Sequence, residues 1–304
     1  MNLPEQIQIR EVGPRDGLQA EPEFMATENK IALINQLFQA GFKMMEATSF
    51  VNPKAIPQLR DAEQVVKGIN RSAEITVSAL VGNIRGVKRA LMAGADEVQV
   101  VISASEEHNR RNVNMSIRQS LIQLEEVVPQ AQQSNLVVRA AIATAFGCPF
   151  EGEIPLKKIL GLINNFQQLG IKQVTLADTA GLGDPLLVTK IIQGVREGYP
   201  QIELALHFHD TRGLGLANAL AGLQSGVTIL EASLGGLGGC PFIPRATGNI
   251  ATEDLVFMVE RMGIQTGIDL TKILTTARWL ENLVGHELPG KVLKAGISGG
   301  CFVD

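Results

Sequence analysis

The chain has 304 residues, 45% of them hydrophobic and 19% charged, enough apolar material for one large domain or two ordinary ones. Its formal net charge of -4 and pI near 5.7 lack the basic balance of a non-specific nucleic-acid or anionic-membrane binder, so any attraction for a phosphorylated ligand must be local. Cys148, Cys240 and Cys301 are too few and too dispersed for a disulfide framework, and no stretch reads as a secretory core or a membrane span. A soluble protein of the reducing cytoplasm is expected.

In chain order, short runs rich in β-branched residues at 7–12, 43–46, 74–79, 97–102, 136–142, 173–177, 203–208 and 228–232 read as eight strands. Helix-period segments lie between them at 29–40, 84–93, 116–133, 156–169, 186–197 and 216–224, with Gly41, Gly94, Gly170 and Gly226 as stop signals. Alternating strand and helix implies a parallel sheet, and strands apolar enough to be covered on both faces favour a closed (β/α)8 TIM barrel over an open doubly wound sheet. The turn after the first strand carries Gly13 and Gly17 around Pro14, Arg15 and Asp16 rather than a Gly-x-Gly-x-x-Gly fingerprint, which removes the usual support for a dinucleotide fold. The barrel domain is expected over residues 1–268. A helix at 270–284 and a Gly-rich tail from 285 would then form a C-terminal helical extension, 269–304, packed on the barrel.

Such barrels gather their reactive groups at the C-terminal ends of the strands. Arg15 and Asp16 follow the first strand, Glu46 ends the second, Asp178 follows the sixth, His207 and His209 end the seventh, and Cys240 and Asn249 follow the eighth. In His207-Phe208-His209 the two imidazoles share a strand face and can address one ion, while Phe208 faces away. Taken alone, the tripeptide fits two independently hydrogen-bonded histidines equally well. With Asp16 opposite and Asn249 near, one carboxylate, two imidazoles and a carboxamide oxygen make a mixed N/O shell without thiolate, which favours Mg²⁺ or Mn²⁺ over structural zinc.

Arg15 and Asp16 sit in a Gly/Pro-punctuated stretch whose plain alternative is a tight turn; adjacent opposite charges at a strand end suit a charged ligand better, Asp16 for the cation and Arg15 for an oxyanion. Glu46 and Asp178 read either as supports for the ligands or as proton carriers. Leu234-Gly235-Gly236-Leu237-Gly238-Gly239-Cys240-Pro241 suggests a mobile loop carrying a reactive or proton-donating thiol, whereas packing is the default for Cys148. His108 and His286 stand in polar or helix-terminal surroundings and read as solvated.

These residues together resemble a known family, the metal-dependent acyl-CoA lyases typified by 3-hydroxy-3-methylglutaryl-CoA lyase. The resemblance runs from Ile9 to about Gly263 through Glu11-Val12-Gly13-Pro14-Arg15-Asp16-Gly17-Leu18-Gln19, Glu46-Ala47-Thr48-Ser49-Phe50-Val51, Gly147-Cys148-Pro149, Asp178-Thr179, His207-Phe208-His209-Asp210-Thr211, the glycine–Cys240 loop and Gly248-Asn249-Ile250-Ala251-Thr252-Glu253-Asp254-Leu255. It implies metal ligation by Asp16, His207, His209 and Asn249, a contact between Arg15 and the acyl part, and a catalytic set of Arg15, Asp16, Glu46, Asp178, His207 and Cys240. The implied reaction is retro-aldol (Claisen-type) cleavage of 3-hydroxy-3-methylglutaryl-CoA to acetyl-CoA and acetoacetate, a step of leucine degradation. Its partner is a small acyl-CoA, neither nucleic acid nor membrane, and a homo-oligomer is compatible with this reading.

The chain departs from the family pattern at Arg212, where Tyr is usual, and at Pro244-Arg245, where small neutral residues are usual. Two added cations at the rim could suit a related 3-hydroxyacyl-CoA, for example 3-hydroxy-3-isohexenylglutaryl-CoA or citramalyl-CoA, or the CoA phosphates. A condensing enzyme joining acetyl-CoA to a 2-oxo acid is a weaker rival, because such synthases commonly carry a further regulatory domain and the glycine–Cys240 loop points to a lyase. A barrel that binds CoA metabolites without chemistry is weaker still, since every matching site position carries the expected residue.

Overall fold

The computed structural model describes residues 3–239 and 248–297. Eight strands, β1 (Gln8–Glu11), β2 (Met44–Ser49), β3 (Thr76–Leu80), β4 (Glu97–Ser103), β5 (Val137–Ala143), β6 (Gln173–Asp178), β7 (Glu203–Phe208) and β8 (Ile229–Ala232), close into one parallel barrel in sequence order. β8 returns to pair with β1 through Ile9↔Leu230 and Glu11↔Ala232. The expected (β/α)8 barrel is what the chain forms. Apolar residues of both strand faces, such as Met45, Val98, Ile142 and Leu206, are buried, because helices cover the outside and side chains fill the inside.

The helices are α1 (Thr27–Gln39), α2 (Ala62–Gly68), α3 (Ile84–Ala93), α4 (Glu106–Val113), α5 (Ile117–Gln133), α6 (Leu156–Gln168), α7 (Pro185–Gly198), α8 (Gly215–Gln224), α9 (Thr252–Arg261), α10 (Leu270–Val284) and α11 (Lys291–Ala295). Their ends follow local chemistry. Asn83 caps α3, Ser116 and Gln119 form a reciprocal capping box on α5, Asp184 caps α7 and Asp269 caps α10. Short α2, α4 and α11 were not legible as periodic segments: each is too brief to show a repeat, and α11 lies inside what reads as a glycine-rich tail.

Two differences bear on the site. β2 runs three residues past Glu46, so Glu46 lies within the strand instead of ending it, and the ladder to β3 shifts register between Glu46 and Thr48. The C-terminal segment is tied to the rim: Gly290 N–H donates to the Gly235 carbonyl at 3.0 Å, and Lys291 and Val292 N–H groups donate to the Asp254 carboxylate at 2.9 and 2.6 Å.

Candidate metal centre

β7 and β8 present the first half of the site. His207 lies in β7 directly beside Glu231 of β8 in the parallel register. His209 follows β7 and forms an antiparallel bridge with Asn249, while Ile250 N–H donates to the Phe208 carbonyl and Ser233 N–H to the Ile250 carbonyl. The segment from Gly248 is thereby stitched across the ends of β7 and β8, which carries Asn249 to the histidines. Phe208 faces the other way, buried 5.5 Å from the Phe146 ring.

The second half comes from the tight helical turn Gly13–Gly17 after β1, whose five residues bring Arg15 and Asp16 over the barrel mouth. One Asp16 oxygen, Oδ2, lies 4.0 Å from Nε2 of both His207 and His209, and one donor atom from each of the three residues falls within 4.8 Å of the others. Asn249 Nδ2 donates to Asp16 Oδ2 at 2.9 Å and to the Leu237 carbonyl at 3.0 Å, and its buried Oδ1 has no partner among the described residues. The donor set fits a divalent cation: a carboxylate, two imidazoles and an orphaned carboxamide oxygen, held on rigid strand ends.

The electrostatics agree. Burial opposes charge on Asp16, but the Arg15 guanidinium and the two imidazoles hold its carboxyl at about 2. Burial and the neighbouring His207 push His209 down to about 4, so its ring is neutral and open to a cation at neutral pH. Arg15 is clamped by Asp16 on one side and by Glu46 Oε2, 2.9 Å away, on the other, while among the described residues its buried Nε–H has no acceptor and the buried Glu46 Oε1 no donor. Asp178 ends β6 with both oxygens taken by the Leu182 and Gly183 N–H groups at 2.9 Å, and burial pushes its carboxyl up. It shapes the β6–α7 loop.

The described part of the glycine loop differs from a mobile surface turn. Leu234 to Leu237 are buried, with the Leu234 N–H donating to Glu11 Oε1 at 2.9 Å and the Gly235 N–H to Glu253 Oε2 at 2.9 Å. Its glycines answer to backbone geometry: Gly235, Gly236 and Gly238 have φ of 68°, 73° and 119°, and added Cβ atoms would meet Leu288, Pro289 and the Asn249 amide. Cys240, Arg245 and Cys301 lie outside the described residues.

Arg212 is exposed, and its Nη1 donates to the carbonyls of Ala180 and Gly181 at 2.8 and 3.2 Å, bracing the loop that Asp178 shapes. Cys148 is buried and donates to Ser105 Oγ at 3.0 Å, as packing requires. His286 is exposed beside Glu21, but His108, expected to be solvated, is buried with neither ring nitrogen partnered. Ser105 caps α4, its hydroxyl accepting the His108 N–H at 3.1 Å, so His108 lies in the buried first turn of that helix.

Sequence reasoning missed the polar filling of the barrel. Glu231 Oε2 is 3.2 Å from His207 Nδ1, and Glu231 Oε1 accepts from Arg10, Arg139 and Thr175. The available signal was composition: Arg139 and Glu231 are the lone polar residues of β5 and β8. A cleft of about 270 Å³ opens beside Asn249, bordered by Asp210, Thr211, Asp254, Pro289 and Lys291.

Residues 6–280 match the HMGL-like family model. The chain belongs to the HMGL-like family. It is 47% identical over 294 residues to hydroxymethylglutaryl-CoA lyase YngG of Bacillus subtilis, covering 97% of this chain and 98% of that one. A crystal structure of the Bacillus subtilis HMG-CoA lyase superposes with a TM-score of 0.94 at 47% identity, over 97% of this chain and 99% of the other. An HMG-CoA lyase from Acinetobacter baumannii, solved in complex with coenzyme A and 3-methylmalate, superposes with a TM-score of 0.93 at 46% identity, over 98% of this chain and 97% of that one.

Proposed function

We propose that this chain is a divalent-metal-dependent carbon–carbon lyase that cleaves 3-hydroxy-3-methylglutaryl-CoA to acetyl-CoA and acetoacetate. The observation that carries this is the Asp16, His207 and His209 cluster with the orphaned Asn249 oxygen, in a chain matching hydroxymethylglutaryl-CoA lyases over nearly its whole length. Asp16, His207, His209 and Asn249 would hold the ion, and the mixed N/O, thiolate-free set favours Mg²⁺ or Mn²⁺. When bound, the cation supplies positive charge beside the substrate's oxygens.

The protein's own groups divide the rest of the work. The 3-hydroxyl must lose its proton as the bond between C2 and C3 breaks; the electron pair of that bond becomes the enolate of acetyl-CoA, and C3 becomes the ketone of acetoacetate. Glu46 Oε1, buried and free of donors among the described residues, would accept the proton, with His207 as an ion ligand and Asp178, its oxygens held by the Leu182 and Gly183 N–H groups, as a support of the rim. Arg15, clamped by Asp16 and Glu46, has its Nε–H left to donate to the enolate oxygen. Cys240 returns a proton to C2 of the departing enolate. Residues 1–268 form the catalytic barrel in this reading, and 269–304 brace its rim.

Among the described residues no helix is long and apolar enough to cross a membrane. A cytoplasmic location and a small acyl-CoA partner complete the proposal, supported by the dispersed cysteines and the coenzyme A found in the Acinetobacter relative. The test is acetyl-CoA release from several 3-hydroxyacyl-CoAs before and after chelation, with Mg²⁺ or Mn²⁺ restored. Release from 3-hydroxy-3-methylglutaryl-CoA that chelation abolishes is expected; undiminished turnover after exhaustive chelation overturns the metal requirement. Near-normal kcat in Cys240→Ser withdraws the thiol.

A further inference from the structure

We propose that Glu231 is a positioning residue that sets the tautomer of His207, so that His207 offers a bare Nε2 to the metal centre. The inference rests on the metal reading above. His207 and Glu231 are register partners on β7 and β8, both inside the barrel, and Glu231 Oε2 lies 3.2 Å from His207 Nδ1. With a carboxylate there, Nδ1 carries the hydrogen, and in the neutral ring that binds a cation this leaves Nε2, the atom 4.0 Å from Asp16 Oδ2, without one.

The other oxygen shows that Glu231 is held for this task. Oε1 accepts from Arg10 Nη1 at 3.1 Å, Arg139 Nη1 at 3.4 Å and Thr175 Oγ1 at 3.1 Å. Arg139 is itself fixed by Gln99 Oε1 at 2.6 Å and Ser78 Oγ at 3.1 Å, and Arg10 by Gln173 Oε1 at 2.9 Å. Three donors on different strands thus hold one carboxylate oxygen, and the second can only face the imidazole. His209 has no such partner: its Nδ1 is buried without a hydrogen bond. The two ligand histidines are therefore unequal, one preset by the protein and one not.

This arrangement makes Glu231→Gln a tautomer switch rather than a simple loss of contact. An amide NH₂ cannot sit at the Oε1 position, where two guanidinium groups point donors at it, so the amide oxygen must go there. The NH₂ is then aimed at His207 Nδ1, which must accept, and the ring hydrogen moves to Nε2, into the metal centre. Size and hydrogen-bond count are unchanged, yet the ligand atom is blocked.

Two measurements test this. Nitrogen NMR of the metal-free, histidine-labelled protein, followed up in pH until the His207 ring is neutral because, against burial, Glu231 and Asp16 raise its pKa, should show the neutral ring protonated at Nδ1 in the wild type and at Nε2 in Glu231→Gln, with His209 unchanged. Mn²⁺ titration should show affinity weakened roughly 10- to 100-fold in Glu231→Gln, the usual cost of losing the outer partner of a metal-bound histidine. Thr175→Val, which removes one Oε1 donor without touching the imidazole, should keep the wild-type tautomer. A neutral wild-type His207 protonated at Nε2, or Glu231→Gln with wild-type tautomer and Mn²⁺ affinity, overturns the proposal. The NMR result needs no metal, so a wild type that binds no Mn²⁺ overturns the metal-centre reading while leaving the Glu231 question decided by the shifts. If Glu231→Gln does not fold, the wild-type spectrum alone decides between the two tautomers.

Discussion

Gly238→Ala should damage the metal centre without altering any ligand. Gly238 has φ of +119°, and a Cβ built on it falls 2.6 Å from Asn249 Nδ2, the atom that also bonds Asp16. An L side chain in this backbone region costs about 1–3 kcal/mol. Relieving the contact pushes the Asn249 amide away from Asp16, and losing one hydrogen bond to a carboxylate costs about 1.5–3 kcal/mol. If that second loss falls on the arrangement that binds the ion, Mn²⁺ affinity drops roughly 10- to 100-fold. Gly263→Ala supplies the comparison: its φ is +81°, but nothing lies within 4 Å of an added Cβ, so it bears only the backbone cost. Thermal melts should show both variants destabilised, and Mn²⁺ titration should show only Gly238→Ala impaired. Equal Mn²⁺ affinity in Gly238→Ala and Gly263→Ala would refute the reasoning, because the Asn249 contact would then be irrelevant to the centre.

Burial pushes the Glu253 carboxyl up to about 8 from its ordinary 4.5, so between those values the unfolded chain has lost a proton that the folded one keeps, and stability falls as pH rises. Glu253→Gln removes that slope while an amide oxygen can still accept from Gly235; its Tm should gain on the wild type progressively between about pH 5 and 8, and a difference independent of pH would refute the assignment. Arg212→Ala frees the Ala180 and Gly181 carbonyls, at about 0.5–1.5 kcal/mol per lost hydrogen bond. A loop brace predicts the same fractional loss of kcat/KM for every CoA ester, whereas a changed ratio between 3-hydroxy-3-methylglutaryl-CoA and differently carboxylated substrates would place this arginine against the acyl group.

The barrel was legible in the sequence because its causes are local and repeated: eight apolar β-branched runs, intervening helical periodicity, and glycines at the stops. His207 and His209 were legible through strand parity, and Asp16 through its place after the first strand, since closing the barrel brings all strand ends to one mouth. Asn249, Glu46 and Asp178 were legible as rim residues from their places near strand ends, and the family resemblance assigned them roles. Only the tertiary structure gave Asn249 its free oxygen, because that depends on hydrogen bonds to Asp16 and Leu237 across 233 and 12 residues of chain.

The same holds for the separation of Glu46 from Asp178, which look alike as carboxylates near strand ends. One keeps an oxygen free beside Arg15, and the other has both oxygens bound by backbone amides. His108 and the buried glycine loop escape sequence reasoning because local polarity and glycine content say nothing about what packs on top; Leu288 and Pro289 arrive from the far end of the chain. Glu231 escapes it for a related reason. A lone carboxylate in an apolar strand is explained by its partners, and Arg10, Arg139, Thr175 and His207 come from four other strands. The sequence by itself determined the barrel and which residue types reach its mouth, because those follow from periodicity. Tertiary structure decided which atoms remain free for chemistry, because an atom is free only after every other partner in the barrel has been assigned.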